Sequence, residues 1–338
     1  MVGRDTLKTR LRLGLAIGSA LAALVLSGSA GSATTGLSPT LNGVHVMWPQ
    51  GVASPPSTNN LIYHGGLVET TPSVYVVYWG PAWQSGFSRQ AGGFTYTNKT
   101  VEAYLNSFFR NVGGSPYSGT QTQYCQNIDP GSTSCAGQLF PQFVTNPSGQ
   151  LKGVWVDPSP VPSPILTTGL AENATNDPIE AEAIKAAQHF GYDVNATYFI
   201  NTQPGVQATA YGSVYCAYHS ETAHTTGHGV RYAFMPYVMD YASGCGENSV
   251  NTTNDAFGNG YLDGYSIVAG HEWAEAITDP DNQMGTQDGW NDATTYENGD
   301  KCAWTNLKDI TLGSHQFAVQ PLWSNAANGG QGGCAFSR

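Results

Sequence analysis

Ionised side chains are scarce in this chain: Lys, Arg, Asp and Glu together make up 11% of it. Basic residues are the scarcer kind, 13 against 24 acidic ones. Nucleic acid and anionic bilayers are bound chiefly through Lys and Arg, so neither is an expected partner. After the N-terminal region there is no further long apolar run, which excludes a membrane span in the mature chain. No two cysteines stand in C-x-x-C spacing, which argues against a thiolate zinc knuckle or a redox dithiol. No G-x-S-x-G elbow, Walker loop or G-x-G-x-x-G falls between a strand and a helix, so the common serine-hydrolase and nucleotide-binding signatures are missing.

What is abundant is Gly, Ser, Thr, Asn and Tyr, a composition that suits a loop-rich extracellular protein. The N-terminus reads as a secretory signal over residues 1–30. Arg4, Lys8, Arg10 and Arg12 form a basic n-region, Leu13 to Leu26 an apolar stretch short for a bilayer span, and Gly28-Ser29-Ala30 a small-residue cleavage site. Cleavage there removes four basic residues and one acidic one, leaving 9 against 23 and a formal charge of −14. Such a balance favours bound cations.

Six cysteines remain: Cys125, Cys135, Cys216, Cys245, Cys302 and Cys334. An even number in an exported chain implies three disulfides. Fifteen pairings are open, and the sequential one (125–135, 216–245, 302–334) is the expectation.

Residues 31–58, rich in Ser, Gly, Pro and Thr, read as a flexible lead-in or a short pro-segment. A single domain is expected over 59–338. Val74 to Trp79 is a β-favouring buried run. Val101, Tyr104, Leu105, Phe108, Phe109 and Val112 recur at helical spacing behind Thr100 as the expected cap, and Gly113 closes that helix. Val154–Val156 reads as a short strand and Asp157 to Pro164 as an extended connector. Asp177-Pro178 opens a helix that runs to Phe190 and stops at Gly191. Tyr198–Ile200, Val214–Tyr218 and Tyr232–Met239 read as strands. Everything after Pro280 reads as irregular. The order predicts an α+β fold: a mixed sheet packed by helices, with a loop-rich, disulfide-tied C-terminal part.

The stretch with chemistry in it is Ser266-Ile-Val-Ala-Gly-His271-Glu272-Trp-Ala-Glu275-Ala-Ile-Thr278-Asp279-Pro280. Asp263 is the expected cap of this helix and Pro280 its stop. His271 and Glu275 are four apart and share one face. In the H-E-x-x-H arrangement, residues at i and i+4 hold zinc and the intervening Glu is the general base. Here the second ligand is a carboxylate, so the motif is H-E-x-x-E with Glu272 in the base position.

A third ligand must come from outside. Asp279 lies about 12 Å from His271 by helical rise alone and joins only if the helix breaks first. Glu297 is the leading candidate and Asp300 the next, both in the acid-rich segment before Cys302. The expected metal set is therefore His271, Glu275 and Glu297 around Zn2+. Its two carboxylates would neutralise a divalent cation, so harder metals remain open. The acids Asp279, Asp281, Asp288, Asp292, Glu297 and Asp300 leave Ca2+ as an alternative, although their spacing is not that of an EF-hand. His219, His224 and His228 follow Cys216, and His219 has the strongest claim of the three to line the site. A plain polar helix face with an i,i+4 hydrogen bond is the rival reading of the motif.

Three stretches carry a resemblance. Leu61-Ile-Tyr-His-Gly-Gly66 with Ser73-Val-Tyr-Val-Val-Tyr-Trp-Gly80 is similar to the opening of the plant EXORDIUM, or phosphate-induced, protein family. Tyr215-Cys-Ala-Tyr-His-Ser220 with Tyr232-Ala-Phe-Met-Pro236 resembles its Cys-containing middle segment. Asn259-Gly-Tyr-Leu-Asp-Gly-Tyr-Ser-Ile-Val-Ala-Gly270 resembles the segment before its late helix. The resemblance covers residues 61–280 in patches and implies an extracellular protein. It implies no peptidase, because the plant proteins lack the His-Glu pair. The chain looks like a secreted microbial relative that carries a zincin-like helix. The expected function is a secreted zinc endopeptidase acting on protein or peptide. The alternative is a non-catalytic extracellular or cell-wall protein with a structural metal site.

Overall fold

The computed structural model describes residues 40–41, 44–52, 58–165, 177–222, 228–281 and 287–338. The expected signal peptide and His224 lie outside the described residues.

Ser73-Val-Tyr-Val-Val-Tyr-Trp79 forms a strand because β-branched and aromatic side chains fit a surface buried on both faces. It lies within a sheet built from β1 (Thr40–Leu41), β2 (Val44–Met47), β3 (Ser73–Trp79), β4 (Leu151–Asp157), β5 (Ala196–Thr202), β6 (Ala217–Glu221) and β7 (Arg231–Met235). The order across the sheet is β1-β2-β6-β7-β5-β3-β4. Strands β7, β5, β3 and β4 run parallel. Strand β6 is antiparallel to both β7 and β2, and β1 is antiparallel to β2. The sheet is mixed and the fold is α+β, as the element order implied.

Helices cover both faces. On one side α2 (Pro178–Phe190) sets Ile179, Ala183, Ala186 and Ala187 against Val77, Ile200, Tyr218, Tyr232 and Phe234. Asp177 caps it through a hydrogen bond from the Ile179 amide, and Gly191 follows its end. On the other side lie α1 (Asn98–Val112) and α3 (Asp263–Thr278). Helix α1 starts from Thr97, not Thr100: Thr97 is the N-cap and Thr100 sits at N3 of a reciprocal capping box. Every residue of α3 is buried. A helix buried all round needs neighbours on every side. Here these include β6, β7, α1 and the later strand His315–Val319. Tyr104 of α1 and the Ala318 carbonyl both hydrogen-bond Ser266 Oγ, at 2.8 and 2.6 Å, which locks the helix along its length.

Four local expectations are corrected. The strand expected at Val214–Tyr218 is Ala217–Glu221, because Gly212 turns the chain and its amide donates to the Tyr215 carbonyl. The strand expected to reach Met239 ends at Met235, since Pro236 has no N–H for the ladder and a 3-10 turn at Val238–Asp240 follows. The tail is not irregular. It contains two hairpins, β8 (Lys308–Leu312) with β9 (His315–Val319), and β10 (Leu322–Ser324) with β11 (Gly333–Ala335). Asp263 is the first residue of α3, not its cap; its carboxylate accepts from the amides of Val250, Asn251 and Gly260 and so fastens the preceding loop.

The lead-in also holds more than was expected of it, since β1 and β2 both fall inside 31–58. The three disulfides pair sequentially, Cys125–Cys135, Cys216–Cys245 and Cys302–Cys334. Among the described residues no helix is long and apolar enough to cross a membrane.

Candidate metal centre

Alternation along β2 and β6 decides what faces α3. Val44, Val46 and Tyr218 point into the α2 layer, while Met47 and Ala217 point the other way. Period two therefore sends His45 and His219 toward α3. The two histidines are directly paired across the strands, their rings 5.9 Å apart.

Helix α3 meets them with His271, Glu272 and Glu275. One turn apart, His271 Nε2 and Glu275 Oε1 are separated by 3.0 Å. Glu272 points toward the sheet, its Oε2 3.2 Å from His219 Nδ1, and Glu275 Oε2 lies 3.5 Å from the same nitrogen.

The segment from Glu297 to Cys302 closes the cluster. Asn298 nails it to α3, its side-chain amide donating to the Ala274 carbonyl at 3.0 Å and to Thr278 Oγ1 at 2.9 Å. The Asp300 amide donates to Glu275 Oε1 at 2.8 Å. Cys302, bridged to Cys334, anchors the far end. Glu297 then lies between the sheet histidines, Oε2 2.5 Å from His45 Nδ1 and Oε1 3.5 Å from His219 Nε2. Asp300 Oδ1 is 3.7 Å from His271 Nε2.

These seven side chains are between 0% and 5% exposed. They form three groups whose ligand atoms fall within 4.8 Å of one another: His271–Glu275–Asp300, His219–Glu272–Glu275 and His45–Glu297–Asp300. The proposed helix pair, His271 with Glu275, is thus brought together. Its third member is Asp300, the second candidate, while Glu297 joins the same cluster through His45. Asp279 stays out of these groups: its carboxylate accepts from the Gly289 amide and the Asn291 side chain and orders that loop.

Burial pushes Glu275 and Asp300 well above the ordinary carboxylate range, and neighbouring carboxylates push further. Glu297 is opposite in sign: burial raises it, but the charges of His45 and His219 win and hold it at about 2. His219 is raised well above the usual imidazole value, since Glu297, Glu272 and Glu275 outweigh its desolvation. Without a cation, then, the cluster approaches neutrality only by keeping protons on both kinds of group. A divalent cation performs the same neutralisation without them.

The donor set fits such an ion. Among the described residues, His271 Nε2, Glu272 Oε1, Glu275 Oε2 and both Glu297 oxygens are buried without hydrogen-bond geometry to a neighbour, although all but Glu272 Oε1 face an opposite imidazole or carboxylate at 2.5–3.5 Å. A buried polar atom without a well-formed hydrogen bond costs about 1–3 kcal/mol, and coordination to a cation is one way to recover that cost. Mixed imidazole and carboxylate donors suit zinc-like transition metals better than Ca2+, which takes oxygen alone. Gln320 orients His271: its side-chain amide lies 3.1 Å from Nδ1 and donates to the Gly299 carbonyl at 2.8 Å.

Searches against protein-family models, curated proteins and solved structures found no match to this chain.

Other histidines among the described residues have other work. His64 faces the Asn291 carbonyl, His228 pairs with Asp281 at 3.0 Å, and His315 stacks on Phe257 at 3.8 Å. Sequence reasoning missed His45 and Gln320. For His45 a signal existed, the alternation in Val44-His-Val-Met47, but it lay in a segment whose composition suggested a tether.

Proposed function

We propose that the chain is a secreted, metal-dependent endopeptidase whose primary cation is held by His271, Glu275 and Asp300. The observation that carries the reading is the set of buried donor atoms, short of hydrogen-bond geometry among the described residues, that α3 and the Glu297–Cys302 turn aim at one another. A cation bound there supplies Lewis acidity, polarising a carbonyl and making water more acidic. Glu272, next to His271 but outside that group, takes the proton from the attacking water and returns it to the leaving amine. His219 orients Glu272 from the sheet side, at 3.2 Å. Secretion is supported by the N-terminal sequence pattern and by three disulfides, which persist in oxidising compartments.

The test is casein digestion by purified, zinc-loaded protein. Wild type digests, chelator abolishes digestion, and Glu272→Gln loses at least about a hundredfold, the usual scale of general-base catalysis. Full activity in Glu272→Gln refutes the assignment.

One observation favours a second reading. Glu272, His271 and Glu275 have no solvent-exposed surface, which suits a structural cation in a non-catalytic extracellular protein of the kind the plant resemblance implies. In that case chelation lowers the unfolding temperature while no peptide substrate is cleaved at any metal loading.

A further inference from the structure

We infer that the cluster binds two divalent cations, a second one at His45 and Glu297 with Asp300 shared between the two. This rests on the metal reading of the His271 group but adds a site that the helix motif does not contain.

The argument starts from reach. Ligand atoms on one zinc-sized ion lie about 2.0–2.2 Å from it, so any two are at most about 4.4 Å apart. Even at the looser separation of 4.8 Å, the three groups among the described residues contain one histidine each, and none includes both His45 and His271. A single ion can therefore satisfy the helix histidine or the strand histidine, not both. Yet both present nitrogens to the cluster. His271 Nε2 faces Glu275 at 3.0 Å and His45 Nδ1 faces Glu297 at 2.5 Å, each without hydrogen-bond geometry.

Carboxylate sharing points the same way. Asp300 belongs to the His271 group and to the His45 group, and it hangs on the turn that also carries Glu297. A carboxylate common to two ligand sets can bridge two ions held close together; Glu275, common to the His271 and His219 groups, belongs to the first ion in this assignment. Glu297 supplies the second site's own carboxylate: its Oε2 lies 2.5 Å from His45 Nδ1, and neither of its buried oxygens has hydrogen-bond geometry to a described residue.

The strand β2 thereby acquires a role beyond pairing. It brings a ligand from near residue 45 to a helix more than two hundred residues away in the chain, with β6 as the register guide. The donor set at the second site, one imidazole and two carboxylates, suits Zn2+, Mn2+ or Fe2+.

The experiment is metal stoichiometry on the full chain. Protein stripped with chelator, reloaded with excess Zn2+ and desalted is assayed for zinc per chain by mass spectrometry. Two ions are expected for wild type and one for His45→Gln, with circular dichroism confirming that the variant is folded. Wild-type protein that saturates at one ion overturns the second site and leaves the proposed function standing. Two ions in both proteins place the second ion elsewhere and also overturn it. No zinc in wild type removes the metal reading and this inference together. Should His45→Gln not fold, a Co2+ titration of wild type decides. Visible absorbance that breaks at two equivalents supports the pair, and a break at one refutes it.

Discussion

Gly299→Ala tests the proposed metal ligands apart from the rest of the fold. Gly299 has φ −75° and ψ −48°, a conformation that alanine adopts freely, so the backbone resists nothing. The added Cβ would stand 2.8 Å from Glu275 Oε1, 3.0 Å from His271 Nδ1 and 3.1 Å from His271 Cγ. Carbon contacts settle at about 3.5 Å or more, so both side chains must retreat by roughly 0.5 Å. Neither is free to do so: Glu275 Oε1 accepts the Asp300 amide, and the His271 ring faces Gln320. Overpacking of this kind costs about 1–3 kcal/mol. If it is borne by the two ligands in their binding geometry, zinc affinity falls about 5- to 150-fold, at tenfold per 1.4 kcal/mol. Competition against a chelating dye measures the affinity, and differential scanning calorimetry in chelator measures the metal-free stability. Wild-type zinc affinity in a variant whose metal-free stability has dropped would show that His271 and Glu275 do not hold the ion.

Removing the 302–334 bridge as a Cys302→Ser, Cys334→Ser pair releases the turn that carries Glu297 and Asp300. Denaturant titration should show a loss of about 2–5 kcal/mol, and zinc should bind more weakly. Unchanged binding would mean that Asn298 alone fixes the turn. In the α1 layer, Phe108→Ala opens a void beneath Gly270 and beside Phe109 and Phe317; about 3–5 kcal/mol of stability should go, and a loss under 1 kcal/mol would place Phe108 outside the core. Away from the cluster, burial and then Asp157 lift Glu182 to about 8. Its folded value exceeds its unfolded one, about 4.3. The folded state therefore holds a proton that the unfolded state has lost, and stability declines as pH rises from about 4.3 to 8. Glu182→Gln should flatten that part of the stability–pH curve. A slope equal to wild type would assign the dependence to other groups.

The parts of this molecule that were legible in its amino acids are those written locally. The apolar spacing in α1, the Asp177-Pro178 start and Gly191 stop of α2, and the helix that carries H-E-x-x-E each sit within a few turns of chain, and the structure has helices at all three places. The β8–β9 hairpin was locally written too and went unread: Leu312 and His315 flank a two-residue Gly313-Ser314 turn with φ +61° at the glycine, a recognised hairpin signal. His45 is a different matter. Its significance comes from β2 pairing with β6, about 170 residues on, and strand register over that distance is set by shape and burial that no window of sequence contains. The choice between Glu297 and Asp300 had the same cause. Both occupy one short turn, and which acid meets His271 depends on how Asn298 seats that turn on α3.

The position of β2 limits how this chain can be matured. A processing enzyme that trimmed the product back to residue 58 would discard the imidazole proposed for the second cation and uncover the hydrogen-bonding edge of β6, a surface prone to self-association. Nicking after Met47 without trimming would leave the strand as a detachable peptide, retained only by mass action. A mature N-terminus upstream of Thr40 is the arrangement under which the centre stays intact at any dilution.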